Sequence, residues 1–135
     1  MTTLNFSIPA EWWLSANQRL HWAPKSKRTT YLRNLGAFVA MADELDGKRL
    51  GSTHVAAFIG YLREGRADPS NAAPTVKALI DGLTDAGVWD DDDSTHVIGP
   101  TYLRDPKSTT PGHYTVRLVL TSQDIPWLDD PRKDS

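Results

Sequence analysis

The chain reads as an α+β fold, a two-layer sandwich with a four-stranded sheet and two helices in the order β-α-β-α-β-β. Three observations predict it. Four short stretches are strand-like, either alternating apolar with polar residues or rich in β-branched and aromatic ones. Two longer stretches repeat apolar residues at helical spacing, and 135 residues are enough to bury one core without staples.

The elements follow in chain order. "LNFSIP", residues 4–9, alternates Leu4, Phe6 and Ile8 with polar neighbours and closes on Pro9, a half-buried strand. A long polar loop with Asn17, Arg19, His21, Trp22 and Pro24 comes next. "RTTYLRNLGAFVAMADELDG" then places Tyr31, Leu35, Phe38, Val39, Ala42 and Leu45 at helical spacing, with Gly47 as the stop. "THVAAFIGYL", residues 53–62, is a second, well-buried strand, and "REGRADPSN" is a turn. "PTVKALIDGLTDAG" is the clearest helix, with Pro74 at its first position, a stripe of Val76, Leu79, Ile80 and Leu83, and Gly87 in the left-handed place after its end. "THVIGPTYL" and "HYTVRLVLTS" are the last two strands, joined by "RDPKSTTPG" as a hairpin connection. The whole of 1–135 forms one domain, with a polar, proline-broken tail expected to fray over about 124–135.

Composition removes several classes of function. A hydrophobic fraction of 39% with five tryptophans excludes a disordered chain. No apolar run approaches the roughly 18 residues that span a bilayer, so no membrane partner is expected. "MTTLNFSIPAEWW" has neither the basic nor the apolar region of a secretory signal, and a cytoplasmic location is the expectation. The absence of cysteine excludes thiolate zinc sites and cysteine nucleophiles. Carboxylates, imidazoles, hydroxyls and lysines remain for chemistry.

The formal net charge of −2 hides a segregated distribution. "NQRLHWAPKSKRTTYLRN" carries Arg19, Lys25, Lys27, Arg28 and Arg33 without an acid, whereas Asp90 to Asp93 form an acidic run. Phosphates need cations and hard divalent ions need carboxylates, so this polarity suits a polyanion on one surface and a metal on another. Two solvated loops are the alternative. Asn17, Arg19 and His21 alternate ahead of Trp22, a combination able to grip a sugar-phosphate backbone and stack on a base.

Acids also bracket the second helix, with Asp68 before it and Asp91 and Asp92 after it. Their extended flanks are long enough to fold back and meet on one side. Two carboxylates and several waters suit magnesium, which can polarise a phosphodiester and activate a water. Lys77 is placed to meet phosphate charge or to pair with Asp81 one turn on. The aspartate run is no EF-hand, because Thr95 and Thr101 stand where the bending Gly and bidentate Glu belong. His96 is near enough to support an acidic ligand, and His54 and His113 read as structural.

"RADPSN" followed by "KALIDGLTDAGVWDDDDS" resembles the heart of the RusA family of crossover-junction endodeoxyribonucleases, which resolve Holliday junctions in bacteria and phages. The matching pattern is an Arg, an Asp-x-Asp-Asn group, a Lys-x-x-x-Asp helix, a Gly-hydrophobic pair and a closing Asp-Asp. The resemblance implies a magnesium-dependent homodimer that binds four-way DNA and hydrolyses phosphodiesters. It further implies Asp68, Asp91 and Asp92 as metal ligands and catalytic residues, Lys77 as the catalytic-site lysine, and Arg66 and Asn71 as the matching arginine and asparagine. With Asn17, Arg19, His21, Lys25, Lys27 and Arg28, these last two make up the expected DNA-contacting set. Ser70 stands where the pattern has its second aspartate, and five residues separate Asn71 from Lys77 where the short form of the motif has two. Two functions follow, an active junction nuclease with an altered ligand set, or a branched-DNA-binding protein that kept the fold and lost cleavage.

Overall fold

The computed structural model describes residues 1–91, 93 and 95–123. Its elements are strand β1 (Thr2–Pro9), helix α1 (Trp22–Ala42), strand β2 (Thr53–Gly60), helix α2 (Ala73–Asp85), strand β3 (Val97–Arg104) and strand β4 (His113–Ser122). Short 3₁₀ turns at Ala10–Trp12 and Pro69–Ala72 precede the two helices. The class is α+β, two helices with a four-stranded mixed sheet. The tail expected to fray, 124–135, lies outside the described residues.

Strand alternation builds the core. Leu4, Phe6 and Ile8 of β1 are buried, as are Val55, Ala57 and Ile59 of β2 and Val116, Leu118 and Leu120 of β4. Register stacks these into rows, with Leu4 and Ala57 both opposite Leu118, and Phe6 and Ile59 both opposite Val116. Each fully buried Leu, Ile or Val contributes about 1.5–3 kcal/mol. The same cluster holds Leu32 and Ala40 of α1 and Val76, Leu79 and Leu83 of α2, so both helices pack on this face of the sheet.

The last two strands do not form the expected hairpin. The sheet order is β1-β4-β2-β3, with β4 antiparallel to both neighbours and β3 parallel to β2. Helix α2 carries the chain back along the sheet, so β3 starts beside the start of β2, as any parallel crossover requires. Segment 105–112 then passes the end of β2, where Asp105 N–H donates to Ile59 O and Ser108 N–H to Tyr61 O. Proline explains the division of places. Pro100 removes a ladder donor and suits the edge strand β3, whereas β4 has neither Pro nor Gly and takes the centre.

Helix α1 also departs from its expected bounds. It begins at Trp22 rather than Arg28, so Lys25, Lys27 and Arg28 lie on its first two turns and not in a loop. Its buried stripe is Leu32, Gly36 and Ala40, one position on from the expected Tyr31, Leu35 and Val39, which are half-buried, while the expected Phe38 and Ala42 are exposed. Close approach to α2 selects the small residues. The helix ends at Ala42, before Gly47, because Glu44 takes the left-handed conformation at φ 59° and lets Leu45 N–H reach Ala40 O at 2.8 Å. Leu45 thereby reaches the core while the helix stops. A side chain in that conformation costs about 1–2 kcal/mol. Glu44→Gly is therefore expected to stabilise the fold by about 0.5–1 kcal/mol, after allowance for the freer unfolded chain. Denaturant titration checks it; destabilisation would mean that the Glu44 side chain makes a contact that offsets the strain.

Candidate functional site

Asp68 begins the site. It is the N-cap of the Pro69–Ala72 turn, where its Oδ1 accepts from Ser70 N–H at 3.0 Å. The Ser70 backbone N–H, and then its hydroxyl, hold the carboxyl below its ordinary pKa, so Asp68 is exposed yet firmly ionised. Ser70 thus acts on Asp68 by orienting it and keeping its charge, the reverse of a second carboxylate's effect.

Segment 67–71 is tied at both ends. On one side Arg104 Nη1 donates to Ala67 O at 2.9 Å and Tyr61 Oη donates to Asp68 O at 3.0 Å. On the other, Ala16 N–H donates to Asn71 O at 2.8 Å, which docks the loop that leads to Arg19. Thr75 locks the same loop by accepting from Leu14 N–H at 2.9 Å and donating to Leu14 O at 2.7 Å. Each tie leads to a hollow with cations in its wall. Near the loop lies a cavity of about 160 Å³ that includes Arg19, Lys25 and Pro74. Beyond Ala67 lies an open groove of about 370 Å³ that includes Tyr61, Arg63, Glu64, Arg66, Arg104 and Tyr114.

The expected DNA-contacting residues divide. Asn17, Arg19, His21, Lys25, Lys27 and Arg66 are exposed. Arg28 is half-buried and donates from Nη1 to Trp13 O at 2.8 Å, which gives it a structural role. Asn71 uses its backbone, donating to Asp68 O at 3.0 Å and accepting from Ala16. Trp22 is 81% exposed at the start of α1. Trp13, by contrast, is buried and stacked on Tyr114 at 4.1 Å, and Trp12 stacks on Tyr31 at 4.6 Å.

Lys77 projects from the second turn of α2, 67% exposed, and donates to Asp81 Oδ1 at 2.9 Å. Asp91, after the helix, is exposed. It follows Asp90 on the side of the start of β2, whereas Asp68 sits before the helix beside Arg104 at the end of β3. Helix α2 separates the two, so the acidic flanks do not fold back to meet as expected. Asp92 lies outside the described residues. Asp90 is paired with Arg49, which anchors the start of the acidic run to the segment before β2. Asp93 is equally committed, because its Oδ1 accepts from Thr95 Oγ1 at 2.6 Å and Thr95 N–H at 3.0 Å and lies 2.8 Å from His96 Nδ1. His96 therefore supports Asp93. Among the described residues no group of three or more His, Asp or Glu side chains is gathered as a metal cage.

These bonds give Asp93 a measurable signature. The Thr95 hydroxyl first, then His96, lower its pKa from the ordinary 3.8 to about 2. A depressed carboxyl contributes stability that is fully present above its unfolded value and is lost as pH falls through the folded one. The contribution of Asp93 should therefore disappear between about pH 4 and pH 2. Carboxyl-detected NMR titration is expected to place its midpoint near 2 and to find it raised in Thr95→Val. An unchanged midpoint in that variant would remove the hydroxyl as the main cause.

Arg104 and Tyr61 carry no local sequence signal. Arg104 ends a strand and reaches a carbonyl 37 residues earlier in the chain, so only the parallel pairing of β3 with β2 brings it to the Asp68 turn. No helix of the described residues is long and apolar enough to cross a membrane. No protein-family model and no curated protein matches the chain.

Proposed function

We propose that the protein is a magnesium-dependent, structure-selective endodeoxyribonuclease that cuts four-way DNA junctions. The observation that carries this reading is the Asp68 turn, an exposed, ionised carboxylate on a backbone segment clamped beside two hollows with cationic walls. A polyanion lying across both hollows would pass that carboxylate. The donor chemistry fits the metal, since exposed carboxylate oxygens without thiolate suit a hard cation that keeps most of its water. Asp68 would hold it, whereas Asp91 follows the far end of α2, on the side of the start of β2, and does not share an ion with Asp68 within one chain. The ion when bound would polarise the phosphodiester and lower the pKa of an attacking water.

The chain's own residues supply the remainder. Lys77 offers an exposed ammonium one turn from the start of α2, and Asp81 orients it. Lys25 and Lys27 hold phosphates away from the metal. Cutting two opposed strands calls for a two-fold dimer, with exposed Phe38 and Met41 on α1 as the apolar side chains available to such a contact. Sedimentation at micromolar concentration is the check; a 15.0 kDa species alone would count against it.

The decisive experiment is incubation of a labelled four-way junction with the protein in magnesium and then in EDTA. Cleavage confined to magnesium supports the nuclease. Binding without cleavage supports the second reading, a junction-binding protein, which Ser70 favours because its hydroxyl bonds Asp68 where a second carboxylate is expected. In that case Ser70→Asp, which adds a carboxylate, is the variant to assay for recovered cutting. Lys25→Ala with Lys27→Ala is expected to flatten the slope of log K against log salt by up to about 1.8, or about 0.9 for each duplex phosphate that is no longer neutralised. An unchanged slope would make these lysines solvated bystanders.

A further inference from the structure

The groove beyond Ala67 has a construction that the metal reading does not require. Its floor continues a line of rings from the core. Buried Trp13 stacks on Tyr114 at 4.1 Å with planes 7° apart, Tyr114 meets Tyr61 edge-on at 6.1 Å, and the Arg104 guanidinium lies over the Tyr61 ring at 5.0 Å. Both ends of the line are fixed, by the core at Trp13 and by the Arg104 bond to Ala67 O. Arg63 and Arg66 stand exposed on the rim, and among the described residues no acid is bonded to either. Three arginines against the single Glu64 leave the groove wall cationic.

We infer that this groove is a subsite for one unpaired nucleotide of DNA, with the base against the Arg104–Tyr61 stack and its phosphate between Arg63 and Arg66. A guanidinium plane held over a ring is a preformed platform for a π-face, and every base has one. Rim arginines match phosphate oxygens with forked donors. The volume of about 370 Å³ accommodates a single nucleotide. Adjacency to Asp68 gives the site its use. A strand whose scissile phosphate is at Asp68 would place a neighbouring nucleotide in the groove only if that nucleotide is unstacked, as at a branch point. Structure selectivity would then arise from the groove, with the carboxylates indifferent to it. This extension rests on the nuclease reading, although the subsite can be tested without cleavage.

The test uses the full chain, isotope-labelled, titrated with a thymidine pentanucleotide and with the same oligomer made abasic at its central position. Amide shifts concentrated at residues 61–67, 104 and 114, with binding weakened about five- to tenfold by the abasic change, are expected. Arg63→Gln with Arg66→Gln, both exposed, should weaken the intact oligomer about tenfold and leave the thermal midpoint unchanged. Equal affinity for the two oligomers, or shifts confined to the Lys25 side, overturns the subsite. The nuclease reading fails separately, if a four-way junction stays uncut in magnesium.

Discussion

Asp68→Asn is expected to reduce junction cleavage by at least about 100-fold while leaving the fold and DNA binding intact. The separation of effects follows from the turn. Asn is as good an N-cap as Asp and can still accept from Ser70 N–H, so the variant should unfold at the same denaturant midpoint as the wild type. What it loses is the charge. Changing groups that merely support metal ligands commonly costs about 10–100-fold in affinity or activity, and a direct ligand should cost at least as much. Removing a negative charge near a polyanion leaves junction affinity equal or higher. Measuring cleavage and equilibrium binding on the same junction separates the two. A variant that cuts at the wild-type rate in matched magnesium would show that Asp68 is not an essential ligand.

Gly82→Ala is expected to destabilise the protein by about 3 kcal/mol, lowering the thermal midpoint by roughly 10 °C. Helix propensity alone predicts the opposite sign, a gain of about 1 kcal/mol for Ala over Gly. Packing overrides it. A methyl at Gly82 would overlap Arg33 O and crowd Ala37 N at 2.9 Å, and one at Gly36 would overlap Leu79 O. The obstacles are backbone atoms, which no rotamer change can move aside. Ala at either glycine must push α1 off α2, and α2 carries Lys77 and leads from the Asp68 turn. Calorimetry measures the cost. A stabilised Gly82→Ala would mean that the helices are not in backbone contact.

Much of the architecture is legible in the sequence because local rules and tertiary packing agree there. Alternation over Leu4, Phe6 and Ile8 and over Val116, Leu118 and Leu120 marks strands whose inner residues are buried in register. The stripe of Val76, Leu79, Ile80 and Leu83 marks the buried face of α2, and Gly87 has the expected positive φ of 78°. Such features depend on a residue and its near neighbours.

Tertiary structure decides the rest. Strand partners depend on which edges meet, so consecutive β3 and β4 read as a hairpin although β2 lies between β3 and β4 in the sheet. Periodicity misplaces the buried face of α1 because large apolar residues dominate it, whereas backbone contact between helices selects Gly36. Within the candidate site, residue types at Asp68, Ser70, Lys77 and Asp91 are visible in the sequence, but their bonding is not. That Ser70 serves Asp68, that Asp93 is held by Thr95 and His96, and that Arg104 clamps Ala67 depend on distances and hydrogen bonds. A single chain of letters determines which chemistry is available along it, and the crossover that lays β3 beside β2 determines which of those groups share a surface.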